Sequence, residues 1–86
     1  MHIENRLPVV MYSKPACVQC NATERWFKAN KIQYRKVDVS QDESALAYVK
    51  GLGYQGAPVV IVPMDWPNGG SHWYGFDTGN LQKLLG

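Results

Sequence analysis

The opening pattern of the chain constrains the fold more than anything after it. An apolar, β-branched run from Pro8 to Tyr12 is stopped by Ser13-Lys14-Pro15 and reads as a short buried strand. A helix is expected to begin at or just after Cys17, with Val18, Ala22, Trp26 and Ala29 returning near helical spacing and Asn30 suited to its end. Ile32 to Val39 then reads as a second strand. There Val37 and Val39 share a side with Arg35, the imperfect alternation of an edge strand half in water. Two strands joined through a helix pair in parallel, with a right-handed crossover.

The remaining segments extend that unit. Ser40-Gln41-Asp42-Glu43 offers a capping box, Ser40 with Glu43, ahead of Ala45, Leu46, Val49 and Leu52. Gly51 or Gly53 ends this second helix. The run Ala57 to Pro63 reads as a central strand, Met64 to Gly70 as a loop, and Ser71 to Phe76 as a fourth strand antiparallel to the third. A short last helix follows, capped by Asp77 or Thr78, with Leu81, Leu84 and Leu85 facing inward. The order β-α-β-α-β-β-α gives an α/β fold: one mixed four-stranded sheet flanked by three helices. At 86 residues, a single domain over 1–86 is expected.

Composition narrows the function. With 45% hydrophobic and 19% charged residues the chain is globular. A net charge of +2 is too low for a nucleic-acid patch, and Lys28, Lys31, Arg35 and Lys36 read as a solvated helix end. The longest apolar run, about Ala57 to Met64, is far short of a membrane span, and Met1 to Val10 lacks an apolar leader core. A soluble, cytoplasmic protein is expected.

Both cysteines of the chain, Cys17 and Cys20, lie where the first strand turns into the first helix. A bond between them would close a loop of a few residues, a weak staple because stabilisation grows with loop length. A closed zinc site needs four ligands, and only His2 and His72 are on offer, without zinc-motif spacing. An iron–sulfur cluster shared between chains is a further metal alternative. The redox reading fits the position. Unpaired N–H groups and the helix dipole at a helix start favour a thiolate, so the Cys17 thiol is expected below its ordinary pKa, with Cys20 more buried one turn on. Lys14 would add positive charge nearby. Cys17 would attack a partner's disulfide and Cys20 would then displace the partner.

These residues also carry a family resemblance. Tyr12-Ser-Lys-Pro-Ala-Cys-Val-Gln-Cys-Asn-Ala-Thr23, with Tyr34-Arg-Lys-Val-Asp-Val-Ser40, Gly51 to Val60 and His72 to Phe76, resembles the NrdH-redoxins, small glutaredoxin-like proteins with a thioredoxin fold. The resemblance implies an electron donor to class Ib ribonucleotide reductase, acting on its large subunit, re-reduced by thioredoxin reductase at the expense of NADPH and carrying no bound cofactor beyond the disulfide. A monomer is expected. The nearest rival is a glutathione-dependent glutaredoxin. By residue, Cys17 would attack and Cys20 resolve, Val18 and Gln19 would shape the lip of the site, and Pro58 after Ala57 would be a cis-proline facing the disulfide. Trp73, Gly75 and Phe76 would serve partner docking. Two departures stand out. Family members carry Trp-Ser-Gly-Phe-Arg-Pro where this chain has Trp73-Tyr-Gly-Phe-Asp-Thr78, which puts a carboxylate in place of a cation. Asp77 is read as a helix cap, although an acidic residue there also suits glutathione binders. The Met64–Gly70 loop is longer, and its Trp66 is read as loop packing or a partner contact.

Other features read blandly. Gly51, Gly53 and Gly56 match Gly-x-Gly-x-x-Gly, but they end a helix and open a strand, the reverse of a dinucleotide motif. His72 is expected at the surface, Trp26 and Phe27 in or over the core, and Tyr12 in packing, close to the disulfide.

Overall fold

In a computed structural model, residues 7–85 are described. His2 and most of the segment read for a leader lie outside them. The elements are β1 (Val9–Ser13), α1 (Val18–Ala29), β2 (Tyr34–Asp38), α2 (Glu43–Gly51), β3 (Val59–Val62), β4 (Ser71–Tyr74) and α3 (Thr78–Gln82), followed by a 3-10 turn over Lys83–Leu85. The strands lie side by side as β2-β1-β3-β4. β1 runs parallel to β2, with Val9 opposite Tyr34, and antiparallel to β3, with Met11 opposite Val60. β4 folds back antiparallel on β3, pairing Trp73 with Val60. This is the mixed four-stranded sheet with three helices that the sequence order implies, a thioredoxin fold.

The pleat decides the core. Val9 and Met11 on β1 and Val60 and Val62 on β3 bury one face of the sheet against Phe27 of α1 and Leu81 and Leu84 at the C-terminus. Trp66 and Trp73 close the same cluster, and Tyr34 stacks its ring 4.9 Å from that of Phe27. Alternate residues Val10 and Tyr12 look to the other face, where Tyr12 meets Tyr48 of α2 with ring centroids 5.8 Å apart. Tyr12 thus belongs to the α2 face of the sheet.

Three local expectations are corrected. On α1 the buried residues are Cys20, Thr23 and Phe27, whereas Val18 is 80% exposed and Ala29 is at the surface. Of the apolar stripe Val18, Ala22, Trp26 and Ala29, Trp26 packs half-buried against the core cluster, while Val18 and Ala29 lie outside it. Thr23 can be buried because its hydroxyl donates to the Gln19 carbonyl at 2.8 Å, one turn back, so no polar group is orphaned. On α2 the cap is Asp42, whose Oδ1 accepts from Ala45 N at 3.0 Å. Ser40 cannot serve there, because its N–H and hydroxyl both donate to Asp38 Oδ1 in a preceding turn. At the C-terminus the helix tightens to three residues per turn after Gln82, which buries Leu84 and leaves Leu85 at the surface.

The Met64–Gly70 loop is tied down rather than free. Trp66 donates its indole N–H to the Leu7 carbonyl at 2.7 Å, and Leu7 N donates to Asp65 Oδ2 at 3.1 Å. Its side chain is buried in the main cluster. Packing, not partner contact, accounts for Trp66. The loop leaves the end of β3 remote from Pro58, so it lies away from the cysteines.

Candidate active site

Chain reversal ahead of α1 uses Ala16 in the left-handed region, φ 55°, where a small side chain keeps the strain low. Cys17 is then the N-cap of α1, with extended backbone and its Sγ accepting the Cys20 N–H at 3.1 Å. A sulfur occupies the place normally taken by a Ser, Thr or Asp oxygen. Cys17 and Cys20 are joined by a disulfide, with Cα atoms 5.2 Å apart. Both are enclosed, Cys17 at 7% exposure and Cys20 at 2%, and they share a small apolar cluster with Ala57. The ranking follows from helix geometry: the cap residue sits at the end, and the residue three further on points inward to the sheet.

Two other segments converge on the pair. The loop before β3 brings in Ala57 and Pro58, joined by a cis peptide bond, and the Ala57 carbonyl oxygen lies 3.7 Å from Cys17 Sγ. The turn after β4 brings in Gly75 and Phe76. Gly75 N donates to the Pro58 carbonyl at 2.8 Å, continuing the β3–β4 ladder past its last paired residues. Gly75 has φ +91°, a left-handed conformation suited to glycine. Phe76 N donates to Gln19 Oε1 at 3.0 Å, so the turn is fastened directly to α1.

The residues singled out from the sequence therefore divide. Cys17, Cys20, Gln19, Ala57, Pro58, Gly75 and Phe76 come together. Val18 stands out at the rim, and Phe76 is 39% exposed. Lys14 is exposed and lines a groove with Gly56 and Ala57, alongside Val39 and Lys50. Trp73 is a correction: it is buried in the main core opposite Val60, so it does not reach a partner. The alternation of β4 puts it on the core face and leaves Tyr74 on the other. Gln19 lies at the surface of the lip, with its side-chain oxygen accepting the Phe76 N–H. Asp77 caps α3, accepting from Asn80 N at 3.1 Å and from Asn80 Nδ2 at 2.9 Å. His72 is exposed and its Nδ1 lies 2.8 Å from Tyr54 OH, on the far edge of the sheet. Among the described residues no three His, Cys, Asp or Glu side chains gather as metal ligands would.

Sequence reasoning missed the sulfur as the cap itself, the positive φ at Ala16 and the Gln19–Phe76 bond. The first was open to inspection, since no Ser, Thr or Asp stands where a cap for α1 is needed.

A family model for glutaredoxin matches residues 9–65. The chain belongs to the glutaredoxin family. The glutaredoxin-like protein NrdH of Escherichia coli strain K12 is 26% identical over 76 residues, covering 88% of this chain and 86% of that one. The NrdH of Lactococcus lactis subsp. cremoris is 27% identical over 52 residues, covering 60% and 72%. A solved structure of the Escherichia coli NrdH-redoxin, described as glutaredoxin-like with a thioredoxin-like activity profile, superposes with a TM-score of 0.80 at 26% identity, covering 91% of this chain and 95% of the other. With its Cys17–Cys20 disulfide, this glutaredoxin-family chain is an NrdH-like thiol–disulfide oxidoreductase.

Proposed function

We propose that the chain delivers electrons from its Cys17–Cys20 dithiol to a disulfide on the large subunit of a class Ib ribonucleotide reductase, and that thioredoxin reductase restores the dithiol. The observation that carries the chemistry is Cys17 Sγ at the N-cap of a 12-residue helix, accepting a backbone N–H at 3.1 Å, in the less buried of the two cysteines. A backbone N–H and a helix start are the surroundings that favour a thiolate over a thiol.

The electron balance is simple. Cys17 thiolate attacks one sulfur of the partner disulfide; that S–S bond breaks and a partner thiolate leaves. Cys20 loses its proton and attacks Cys17 Sγ, and the second partner thiolate leaves. The partner gains two electrons and two protons, and the chain is left oxidised. Cys20 lies one helical turn from Cys17, with Cα atoms 5.2 Å apart in the oxidised pair.

The choice of partners rests on the NrdH likeness. Asp77, the departure that favours glutathione, serves as a helix cap, with both its oxygens accepting from Asn80. We place the protein in the cytoplasm, as a monomer, on the same reading. The test is a coupled assay following NADPH loss, first with thioredoxin reductase and then with glutathione and its reductase, with a protein disulfide as final acceptor. Turnover with thioredoxin reductase is expected; turnover with the glutathione system alone would overturn the assignment.

A further inference from the structure

We propose that Gln19 is a positioning residue: a clasp that fixes the turn after β4 against α1 and so sets the relative placement of Val18 and Phe76, the two exposed apolar side chains beside the disulfide. The inference rests on the reading above only in taking this end of the molecule as the face that meets a partner.

An exposed glutamine ordinarily keeps its rotamer freedom, which costs free energy to remove. Here both ends of the residue are held. Its backbone carbonyl accepts the hydroxyl of the fully buried Thr23 at 2.8 Å, and its side-chain carbonyl accepts Phe76 N–H at 3.0 Å. The fit is close as well as polar: a Cβ built on Gly75 would stand 3.0 Å from Gln19 Oε1. Gly75 is thus fixed twice, by its φ of +91° and by the amide lying against it. Its own N–H is held by the Pro58 carbonyl at 2.8 Å. The three segments around the sulfurs are therefore linked in series: the first turn of α1 to Phe76 through Gln19, and Gly75 to the cis-Pro58 loop.

The clasp bond joins Gln19 Oε1 to the Phe76 N–H, whereas Cys17 Sγ accepts the Cys20 N–H in a separate bond within α1. The clasp should therefore govern recognition rather than reactivity. The residues it joins are Val18, at 80% exposure, and Phe76, at 39%. A polypeptide disulfide long enough to lie across both would feel their spacing. A small disulfide would not.

The test compares the reduced wild type with Gln19→Leu, which removes the acceptor at nearly constant volume, and Gln19→Glu, which keeps an oxygen in its place. Losing one net hydrogen bond should speed amide exchange at Phe76 about five-fold in Gln19→Leu, with protection retained in Gln19→Glu. In single-turnover oxidation by a disulfide-bonded peptide, Gln19→Leu should raise the half-saturating concentration about five-fold and change the maximal rate less than about two-fold. The loss in Gln19→Leu should be larger with the peptide than with 5,5′-dithiobis(2-nitrobenzoate). Unchanged exchange at Phe76 in Gln19→Leu, or a fall in maximal rate with an unaltered half-saturating concentration, would overturn the proposal. A wild type oxidised only by the small disulfide would instead count against the partner-facing reading, and the exchange measurement would still decide the clasp.

Discussion

Cys17 does two jobs with one sulfur, and substitution can separate them. Replacing it by Ser or by Ala removes the nucleophile in both cases and leaves both variants with a lone Cys20, so redox chemistry drops out of the comparison. The structural role does not drop out. Sγ caps α1 by accepting Cys20 N–H at 3.1 Å, and it lies 3.7 Å from the Ala57 carbonyl. A serine hydroxyl at the same place accepts the first group and can donate to the second, so its burial is compensated. An alanine leaves the amide without its partner, a cap loss of about 1 kcal/mol. For a domain of this size that corresponds to a melting-temperature difference of about 4–8 °C. Cys17→Ser should therefore melt above Cys17→Ala by that margin, followed by circular dichroism with excess reductant. Two variants melting within about 1 °C of each other would refute the idea that the sulfur caps the helix, and with it the argument that the helix start stabilises a thiolate.

Other consequences can be checked directly. Cys20→Ser should accumulate a mixed disulfide through Cys17 after exposure to 5,5′-dithiobis(2-nitrobenzoate), seen by intact-mass measurement, whereas Cys17→Ser should trap far less because Cys20 is only 2% exposed. Tyr34 OH donates to Glu24 Oε2 and Lys36 Nζ to Glu24 Oε1. The Tyr34 bond, and less strongly Lys36, holds the Glu24 carboxyl below its usual range, while burial and then Glu24 push the Tyr34 phenol up to about 12. The stability from Tyr34 should be fully present below the ordinary phenol value of about 10 and lost as pH rises towards 12; that from Glu24 should be present above the ordinary carboxyl value and lost as pH falls through its lowered one. Urea denaturation of wild type and Tyr34→Phe should show a difference of about 1–2 kcal/mol near neutrality, shrinking at both extremes. Trp66→Phe, which keeps a ring in the core and deletes the bond to the Leu7 carbonyl, should cost about 1 kcal/mol in the same assay.

What the sequence disclosed was what local chemistry dictates. The parallel pairing of the first two strands followed from the β-α-β pattern, whereas the antiparallel placement of β3 beside β1 did not. The edge position of β2 was visible in Arg35 sharing a side with Val37 and Val39. The two cysteines were placed at a helix start by the Ser13-Lys14-Pro15 stop and the helical spacing that follows it, and α1 does begin at Val18. Helix phase was less legible. A threonine looks polar and a valine apolar, yet Thr23 is inside and Val18 outside, because an intrahelical bond satisfies the first and the site rim exposes the second. Asp42 displaced Ser40 as a cap because Asp38, four residues back, had already captured the serine. The burial of Trp73 depended on which face of β4 turned inward, which a single residue of register decides. The meeting of Gln19 with Phe76, 57 positions apart, is a product of tertiary folding that no local pattern encodes.

The clip between Leu7, Asp65 and Trp66 has a practical use. It fastens the hairpin loop at the pole opposite the sulfurs, while Met64 beside it is 82% exposed. A fluorophore or affinity handle spliced in at Met64 would hang from a rigid mount and leave the reactive pole open for docking, which makes that corner the natural tether for watching electron transfer one molecule at a time.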